Sequence, residues 1–331
     1  MPIAAMSENG NNMPIHMIKS QRKDKDCDVL LTGRYSSDLI ITGLPEMPRL
    51  GNEVFGKHCE LVPGASVIPA VALHRLGVRV AWPCTFGNDP FSRFAREYAR
   101  REGVNEVWFH DQDHPMLGIT VSFSFAGERA YVSYVDDVPE PYYPDLIRQL
   151  HPRWVFVVCL WKGGILEQVR QAALESHTAL FMDCQAHQTS LEDPEVRSAL
   201  QQVDVFSPNL EEALQLTGDD SIETALATLA ALSPLVVIKL GKEGAIAQRG
   251  SQVMRVPGVK ANVVDTTGAG DNFDCGFIYG QLQGYSLEDS IRCANICGGL
   301  SIEKHGGATA SPTSPVLEKM RNSYKKHSIQ A

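Results

Sequence analysis

The segment 263–282, VVDTTGAGDNFDCGFIYGQL, carries the residues of this chain that are best suited to chemistry. An apolar run leads into a Gly-rich turn, and a stretch with helical apolar spacing follows. Gly268 and Gly270 let the backbone approach a ligand closely, and the N–H groups of Ala269, Gly270 and Asp271 lack helical partners at the helix start. Such donors form an anion cradle and can stabilise the charge on a transferring phosphoryl group. The same residues also suit a tight connection capped by Asp271, so the motif alone leaves both interpretations open.

Composition limits what the rest of the chain can be. The 331 residues are 44% apolar, which is enough for a substantial core in one large domain or two small ones. The net charge is −9, and Lys/Arg and Asp/Glu are spread along the chain without a visible basic face, so we expect no nucleic acid partner. The eight cysteines never form a C-x-x-C pair, which favours reduced thiols. Without a signal-peptide pattern or a run of about 18 apolar residues, we expect a cytoplasmic protein with no membrane partner.

The pattern of apolar residues predicts the architecture. Residues 1–26 are polar and are expected to form a disordered tail. From Asp28 onward, short apolar runs alternate with longer stretches that repeat apolar residues at i, i+3 and i+4. This alternation predicts a three-layer α/β/α fold, in which helices cover both faces of a mostly parallel sheet. The predicted strands are DVLLTG, VRVAWPCTFG, WVFVVCL, ALFMDC, VDVFSPN and LVVIKLG.

Two segments depart from this alternation of short apolar runs and helical stretches. Residues 38–61 and 116–135 alternate in period 2, and a turn at 126–128 predicts a hairpin in the second segment. We interpret them as one small β-sheet lid that projects from the core. The core domain is placed at 27–318, followed by a C-terminal tail at 319–331.

The Gly-rich segment is longer than GAGD. DTTGAGD followed by N-F-x-x-G-F resembles the second signature of the PfkB family, which includes ribokinase, fructokinase, ketodeoxygluconate kinase and adenosine kinase. Three more segments resemble the family in the same order: GNDPFSRFAREYARREGVN (87–105, with Ser92 replacing a Gly), SPNLEEALQLTG (207–218) and VVIKLGKEGAIA (236–247). The resemblance runs from about residue 28 to residue 317. It implies a ribokinase-like fold and an ATP-dependent transfer of phosphate to a hydroxyl of a sugar or sugar derivative.

The resemblance also implies roles for the carboxylates. Asp271 matches the family's base, which takes the hydroxyl proton and contributes about 10²- to 10⁴-fold. Its place at a helix N-terminus is expected to keep it ionised near neutral pH. Asp265 could help to hold a monovalent cation such as K⁺, or could cap the turn. Glu212 could hold waters of Mg²⁺, or could form a helix cap together with Asn209.

The nucleotide is assigned by resemblance to small and polar residues in turns and near the C-terminal helices. Small residues leave room for a flat ring, although close helix packing would need them too. Lys239 either reaches a phosphate as a point charge or is solvated at a strand end. The predicted set is Asn209, Lys239, Gly241, Gly244, Thr267, Asn295, Gly299 and Gly307.

The acceptor motifs depart more from the family. The family's G-x-x-N-x-D is GRYSSD here, and the carboxylate of Asp38 can accept two hydroxyls, so we expect it to be the main acceptor ligand. The family's G-G-x-x-x-N is PGASVI, which retains Gly64 but places Ile68 where an Asn stands. An Ile cannot form a hydrogen bond, which argues against ribose. Ile68 could line the acceptor or merely pack its own helix.

Asp183 stands in the position of a D-x-N-x-R motif of sugar-kinase relatives, with Gln185 and His187 in the other two places. It is predicted to lie near the phosphates and the acceptor. Arg34, Arg129 and His187 could recognise an anionic acceptor, or could be solvated on loops.

Two other functions fit the same sequence. A nucleoside kinase of the adenosine-kinase type would need a wall for the base, which Ile68, Trp161 and Tyr131 could build. A catalytically weak regulatory protein that binds sugar or nucleotide would account for the altered acceptor motifs. A homodimer through the edge or face of the lid is also expected from some relatives.

Overall fold

The computed structural model describes residues 27–125, 128–137, 140–185 and 189–328. The tail predicted at 1–26 lies outside these residues, as do Ala126 and Gly127 of the predicted turn, His187, and the side chain of Arg129.

The strands and helices alternate along most of the chain. In chain order the strands are β1 (Val29–Leu31), β2 (Tyr35–Thr42), β3 (His58–Ala65), β4 (Val80–Ala81), β5 (Cys84–Phe86), β6 (Phe109–Asp111), β7 (Gly118–Phe125), β8 (Glu128–Val135), β9 (Trp154–Val157), β10 (Ala179–Asp183), β11 (Val205–Ser207), β12 (Leu235–Lys239), β13 (Ala245–Arg249) and β14 (Gln252–Val256). The helices are α1 (Val67–Arg75), α2 (Pro90–Arg101), α3 (Tyr143–Leu150), α4 (Gly164–Ser176), α5 (Pro194–Gln201), α6 (Leu210–Thr217), α7 (Ile222–Ala230), α8 (Ala269–Leu282), α9 (Leu287–Ser301) and α10 (Ser314–Ser328). In the part of the chain that the structure describes, no helix is both long enough and apolar enough to cross a bilayer.

The main sheet has eight strands in the order β14-β13-β12-β11-β10-β9-β1-β4. The pairs from β4 to β12 are parallel, and β13 and β14 extend the sheet in antiparallel fashion. Each sequence run predicted as a strand contains a strand of this sheet, which confirms the mostly parallel α/β core.

Two apolar layers lie on opposite faces of the main sheet, because successive side chains of a strand point to opposite sides. Trp154 and Phe156 of β9 pack in one cluster with residues of α1, α8 and α9. Val155 and Val157 pack in the other cluster with residues of α3, α4 and α7. Helices therefore cover both faces, and β9 and β10 are buried along their whole length.

A separate four-stranded sheet has the order β3-β2-β7-β8. β2 pairs antiparallel with β3 and parallel with β7, and β7 pairs antiparallel with β8. This arrangement confirms that the segments 38–61 and 116–135 belong to one small sheet outside the main one. We call this sheet the lid, and its closure over a ligand stays a prediction.

The C-terminal boundary predicted at residue 318 falls inside α10. Arg321, which is 8% exposed, donates to Glu318 (2.7 Å) and lies over the ring of Tyr285 at 4.0 Å from its centroid. Residues after 318 therefore continue a helix that packs on the core, beyond the predicted end of the core domain. The polar sequence of this helix concealed a buried arginine that sequence patterns alone do not reveal.

Candidate active site

Three neighbouring strands of the main sheet end beside α8. Ser207, at the end of β11, donates a hydrogen bond to Asp274 of α8 (2.7 Å). Lys239, at the end of β12, contacts the same carboxylate (3.1 Å) and also Asp183 at the end of β10 (2.6 Å). In open α/β sheets, ligands bind outside the carboxyl ends of the strands. The structure thus brings residues that are far apart in sequence to the edge where a site is expected.

Gly268 precedes α8 and adopts a left-handed conformation with φ of 67°. A β-carbon at this position would lie 2.8 Å from the Cα of Gly307 and 2.9 Å from the side chain of Ile68. Both the backbone angle and the lack of space therefore require glycine. The close approach fixes the position of the first turn of α8. This turn, with the backbone of Gly270 and Asp271, lines the cleft described below.

Hydrogen bonds hold this turn against the loop that follows α9. Asn272 is fully buried, and its amide nitrogen donates to the carbonyl oxygens of Gly268 and Gly307 (2.8 Å each). Asp265, which is 2% exposed, accepts from the N–H and hydroxyl of Thr267 (2.9 and 2.7 Å) and from the N–H of Gly306 (2.9 Å). Asp265 thus caps the turn, which is one of its two predicted roles.

Asp271 is half-buried on the first turn of α8. Burial is the main effect that raises the pKa of its carboxyl to about 7; the negative charge of Asp183 raises this pKa further, and Lys239 opposes both. The amide of Gln185 donates to the same carboxylate at 3.3 Å. The helix dipole was expected to keep Asp271 fully ionised at neutral pH, but desolvation outweighs it. A carboxylate whose pKa lies near the working pH is well matched to general-base catalysis.

A buried ion cluster lies beneath Asp271. Lys239 bridges Asp183 and Asp274, and the exposed fractions of the three side chains are 12%, 4% and 0%. Lys239 is therefore not solvated at a strand end. Sequence reasoning missed Asp274, although its spacing of three from Asp271 places both carboxylates on one face of α8.

Asn209 and Glu212 form a reciprocal cap at the start of α6. The N–H of Asn209 donates to Glu212 (2.7 Å), and the N–H of Glu212 donates to Asn209 (2.9 Å). Among the described residues, no group of three or more His, Cys, Asp or Glu side chains is arranged to hold a metal ion. Both residues nevertheless line the cleft together with Lys239, and a metal role for Glu212 stays a prediction.

A cleft of about 1440 Å³ runs along this edge of the sheet. The predicted site residues that line it are Asp183, Asn209, Glu212, Lys239, Gly241, Gly244, Thr267, Gly268, Ala269, Gly270, Asp271, Asn295 and Gly299. Sequence reasoning missed other lining residues, mainly in the segment 258–263 that follows β14. A signal was present, because GVKANVV combines small and apolar residues just before the Gly-rich turn.

Small residues and an amide of α9 shape another part of the cleft wall. Asn295 donates to the carbonyl oxygens of Val256 and Pro257 (3.1 Å each), so its amide anchors the chain after β14. A β-carbon at Gly299 would lie 2.3 Å from the side chain of Val259, so glycine lets this apolar residue pack closely. Gly307, by contrast, is not among the lining residues and packs against Gly268.

Asp38 lies on the lid, directly above the backbone of Gly64. A β-carbon at Gly64 would come within 2.2 Å of the Asp38 carboxylate, so this carboxylate requires glycine there. Ser36 donates to Asp38 at 2.6 Å. Burial raises the pKa of Asp38, and the hydrogen bond from Ser36 partly counters this effect.

Ile68 is 3% exposed and packs behind the Gly-rich turn. Its side chain approaches the positions that β-carbons would take on Gly268 and Gly307. Ile68 lies four residues after Gly64, so the start of α1 links the acceptor motif to the anion cradle. These contacts are with the Gly-rich turn and the loop after α9 and not with its own helix, and a role of Ile68 toward the acceptor stays a prediction.

A row of polar side chains crosses the lid from β2 to β8. Asp38 pairs directly with Thr120, and Thr120 pairs directly with Ser133. The hydroxyls of Thr120 and Ser133 lie 3.0 Å apart, and Ser36 lies 3.4 Å from Thr120. Residues directly opposite each other share one face of a sheet. We call Ser36, Asp38, Thr120 and Ser133 the hydroxyl row; sequence reasoning identified only Asp38 as a ligand, with Ser36 as the residue in place of the motif's Asn.

The three side chains proposed as a wall for a nucleoside base do not come together. Tyr131 of β8 lines the cleft, whereas Trp161 packs on Tyr143 with ring centroids 5.2 Å apart. Ile68 lies behind the turn. Arg34 donates to the backbone carbonyl of Asp136, so its guanidinium holds the base of the lid.

The fold and the anion cradle beside a carboxylate define a phosphotransferase of the ribokinase-like class. Residues 64–314 match the pfkB family of carbohydrate kinases, so this chain belongs to that family and is a carbohydrate kinase. The match confirms the resemblance seen in the sequence motifs.

This chain is similar to known proteins of the family over most of their length. The ribokinase of Lactococcus lactis subsp. lactis is 28% identical over 300 residues, which cover 86% of this chain and 93% of the relative. The 2-dehydro-3-deoxygluconokinase of Bacillus subtilis is 30% identical over 272 residues, which cover 76% and 83%. The structure of Arabidopsis thaliana ribokinase complexed with ribose and ATP has a TM-score of 0.77 at 20% identity and covers 89% of this chain and 98% of that one.

We predict that the rate depends on Asp271 in its deprotonated form. A base acts only when ionised, so kcat/KM for the acceptor should fall as the pH drops through about 7, the pKa of Asp271. Asp271→Asn should lose turnover but retain ATP binding, because the amide keeps the shape of the helix start and cannot take a proton. Steady-state ADP release and calorimetric ATP titration check both points. An acidic limb near the ordinary carboxylate pKa of about 4, or near-normal turnover of the variant, would contradict the assignment.

Proposed function

We propose that this carbohydrate kinase transfers the γ-phosphoryl group of ATP to a hydroxyl of a neutral, polyhydroxylated sugar. The observation that carries the proposal is the position of Asp271, beside the N–H groups at the start of α8 and with a pKa of about 7. The carboxylate accepts the proton of the acceptor hydroxyl while that oxygen bonds to phosphorus and the bond to ADP breaks. The backbone of 268–271 stabilises the negative charge on the transferring group.

The cleft suits a nucleotide in size and chemistry. Val259, Ala261, Val263 and Ile302 offer apolar surface along the cleft wall, where a purine could lie. Val263 is 67% exposed, so a bound ring would cover apolar surface that solvent now contacts. The Arabidopsis ribokinase, which shares this fold, was complexed with ATP.

Mg²⁺ accompanies ATP in phosphoryl transfer and neutralises charge on its phosphates. Glu212 is the residue that we propose to hold water molecules of this ion, because its carboxylate lies in the cleft wall and Mg²⁺ prefers to keep several waters. We further propose that a monovalent cation such as K⁺ binds beside Asp265, whose buried carboxylate lies behind the anion cradle.

Glu212→Gln separates the metal role from the capping role. Gln also forms the reciprocal cap at this position, so the free energy of unfolding should stay close to that of the unmodified protein. The concentration of Mg²⁺ that gives half-maximal activity should rise several-fold, because a charged acceptor of its waters is lost. Glu211→Gln removes the neighbouring, exposed carboxylate and serves as the control. Equal Mg²⁺ dependence in the two variants would argue against the role of Glu212.

The face of the lid that carries the hydroxyl row points toward the cradle. At the β3 edge, Val62 stands opposite Asp38, and its side chain approaches Gly306 in the loop behind the Gly-rich turn. At the β8 edge, Tyr131 shares this face with Ser133, two residues further on, and lines the cleft. The row therefore lies between these two contacts, facing the core. A sugar held there would meet Asp271 on its other side.

The chemistry of the row favours a neutral acceptor. Three hydroxyls and one carboxylate can exchange hydrogen bonds with several sugar hydroxyls, and the row contains no cation that would pair with an acid or a phosphate. Arg34 is the described cation nearest to this row in sequence, and its guanidinium donates a hydrogen bond to the backbone carbonyl of Asp136. A nucleoside is disfavoured because the side chains proposed for a base wall are not assembled.

A panel of neutral sugars, sugar acids, sugar phosphates and nucleosides, assayed by ADP release, tests the proposal. The highest kcat/KM is expected for a neutral sugar. Thr120→Val keeps the shape of the side chain and should lower that value by about 5- to 150-fold, equivalent to about 1 to 3 kcal/mol, with little change in KM for ATP.

Ile119→Val, on the opposite face of the same strand, is the matched control and should leave kcat/KM within about threefold. A preferred anionic acceptor, or equal effects of the two variants, would count against the row. No turnover with any acceptor would favour the regulatory alternative.

We also propose that the lid edge supports a homodimer. Tyr131, Val132, Tyr134 and Val135 of β8 are 46–63% exposed, and within the described residues β8 pairs with β7 alone. An open edge with exposed apolar side chains is a ready surface for pairing with a second copy. Sedimentation velocity over a range of protein concentrations decides, and a concentration-independent monomer would exclude the dimer.

A further inference from the structure

The buried ion cluster beneath the anion cradle has more structure than an isolated salt bridge. The ammonium of Lys239 contacts Asp183 at 2.6 Å and Asp274 at 3.1 Å. The second oxygen of Asp274 accepts the hydroxyl of Ser207 at 2.7 Å, and the N–H of Lys239 donates to the carbonyl of Pro208 at 2.9 Å. Lys239 is therefore anchored both through its backbone and through its head group.

This anchored ammonium lies against the cradle itself. A β-carbon at Gly270 would be 3.4 Å from the Lys239 nitrogen, so the cation sits directly below the first turn of α8. Asp274 occupies the next turn of the same helix, with its side chain fully buried. Among the described residues, Lys239 therefore forms two ion pairs. One is with Asp274 of α8, and the other is with Asp183 at the end of β10.

Asp183 connects this anchor to the base. One oxygen of Asp183 accepts from Lys239 and from the N–H of Cys184 (2.7 Å). The other oxygen accepts from the amide of Gln185 (3.3 Å), and the same amide nitrogen donates to Asp271 (3.3 Å). Gln185 holds this position with a left-handed backbone, φ 41°, which is costly for a residue with a β-carbon.

We propose that Lys239 and Asp274 are positioning residues, which fix Asp183 and, through Gln185, orient the carboxylate of Asp271 toward the acceptor hydroxyl. The proposal rests on the function proposed above. In this proposal Lys239 acts on the base and not as the ATP ligand that the sequence suggested, because two buried carboxylates engage its head group. The positive charge of Lys239 attracts the carboxylate of Asp271 and so favours its ionised form.

The charges that face Asp271 come from three directions. Asp183 approaches from the end of β10, Lys239 from the end of β12, and Asp274 lies one turn further along α8. Of these, Asp183 raises the pKa of Asp271 and Lys239 lowers it. Glu212, at the start of α6, acts on Lys239. Removal of the lysine therefore leaves carboxylates without the cation that offsets them, and the pKa of Asp271 must rise.

Two single variants and their combination test the proposal. Lys239→Met keeps an unbranched side chain one atom shorter and removes its charge, and Asp274→Asn keeps the shape while weakening the anchor. We expect Lys239→Met to lower kcat at least 100-fold, to leave the Kd for ATP within about threefold, and to move the acidic limb of kcat/KM to higher pH. Asp274→Asn should lower kcat less and should not move the limb upward, because it removes a negative charge.

Two further readouts keep the test decisive. Residues that act as a unit are not additive, so the double variant should be no slower than Lys239→Met alone. It also removes one charge of each sign, so only one carboxylate of the cluster, Asp183, loses its lysine partner instead of two. The carboxyl carbon signal of Asp271 in ¹³C-labelled protein, assigned with Asp271→Asn, should titrate at higher pH in Lys239→Met. Lys319→Met, an exposed lysine on α10, is the control for loss of a lysine.

The possible outcomes are distinct. A tenfold or larger loss of ATP affinity in Lys239→Met with an unmoved titration of Asp271 would make Lys239 a phosphate ligand and overturn the proposal. Lower melting temperatures with unchanged kcat would make the cluster purely structural and would also overturn it. If the unmodified protein shows no turnover with any sugar, the proposed function fails, whereas the titration of Asp271 still tests the positioning of its carboxylate.

Discussion

The close approach of two backbones at Gly268 is the constraint on which the site depends. The turn before α8 passes so near Gly307 and Ile68 that no β-carbon fits, and its left-handed backbone excludes most residues independently. Asn272 then ties both sides of this contact together through two hydrogen bonds of 2.8 Å. The helix start, residues 268–271, is therefore fixed at the cleft wall before any ligand binds, and electrostatic stabilisation of a transferring group requires such preorganised donors.

The second organising feature is the distribution of charge beneath that turn. A buried cluster of two carboxylates and one lysine is weak evidence for stability, because desolvation of the charges offsets much of their attraction. The cluster instead fixes the relative positions of three elements. Lys239, at the end of β12, contacts Asp183 at the end of β10 and Asp274 on α8, the helix that also carries Asp271. The cluster belongs to the core, whereas the hydroxyl row belongs to the lid.

Patterns local in sequence predicted much of this molecule. The alternation of apolar runs with helical spacing gave the parallel core, and period-2 segments gave the lid, because both signals reflect which face of an element is buried. The contact between Lys239 and Asp274 could not be predicted, since it joins a strand end to a helix 35 residues away through side chains alone. The hydroxyl row was missed for a similar reason: it depends on strand register, which short sequence patterns do not determine.

The most direct measurement is a crystal structure of the protein with ADP, Mg²⁺, aluminium fluoride and the best neutral sugar from the acceptor panel. The fluoride, which mimics the transferring phosphoryl group, should lie about 2.7 to 3.1 Å from the N–H groups of Gly270 and Asp271. One sugar hydroxyl should lie between it and the Asp271 carboxylate, with other hydroxyls on Asp38 and Thr120. A fluoride bound away from the start of α8, or a sugar that does not contact Asp271, would contradict the proposed site.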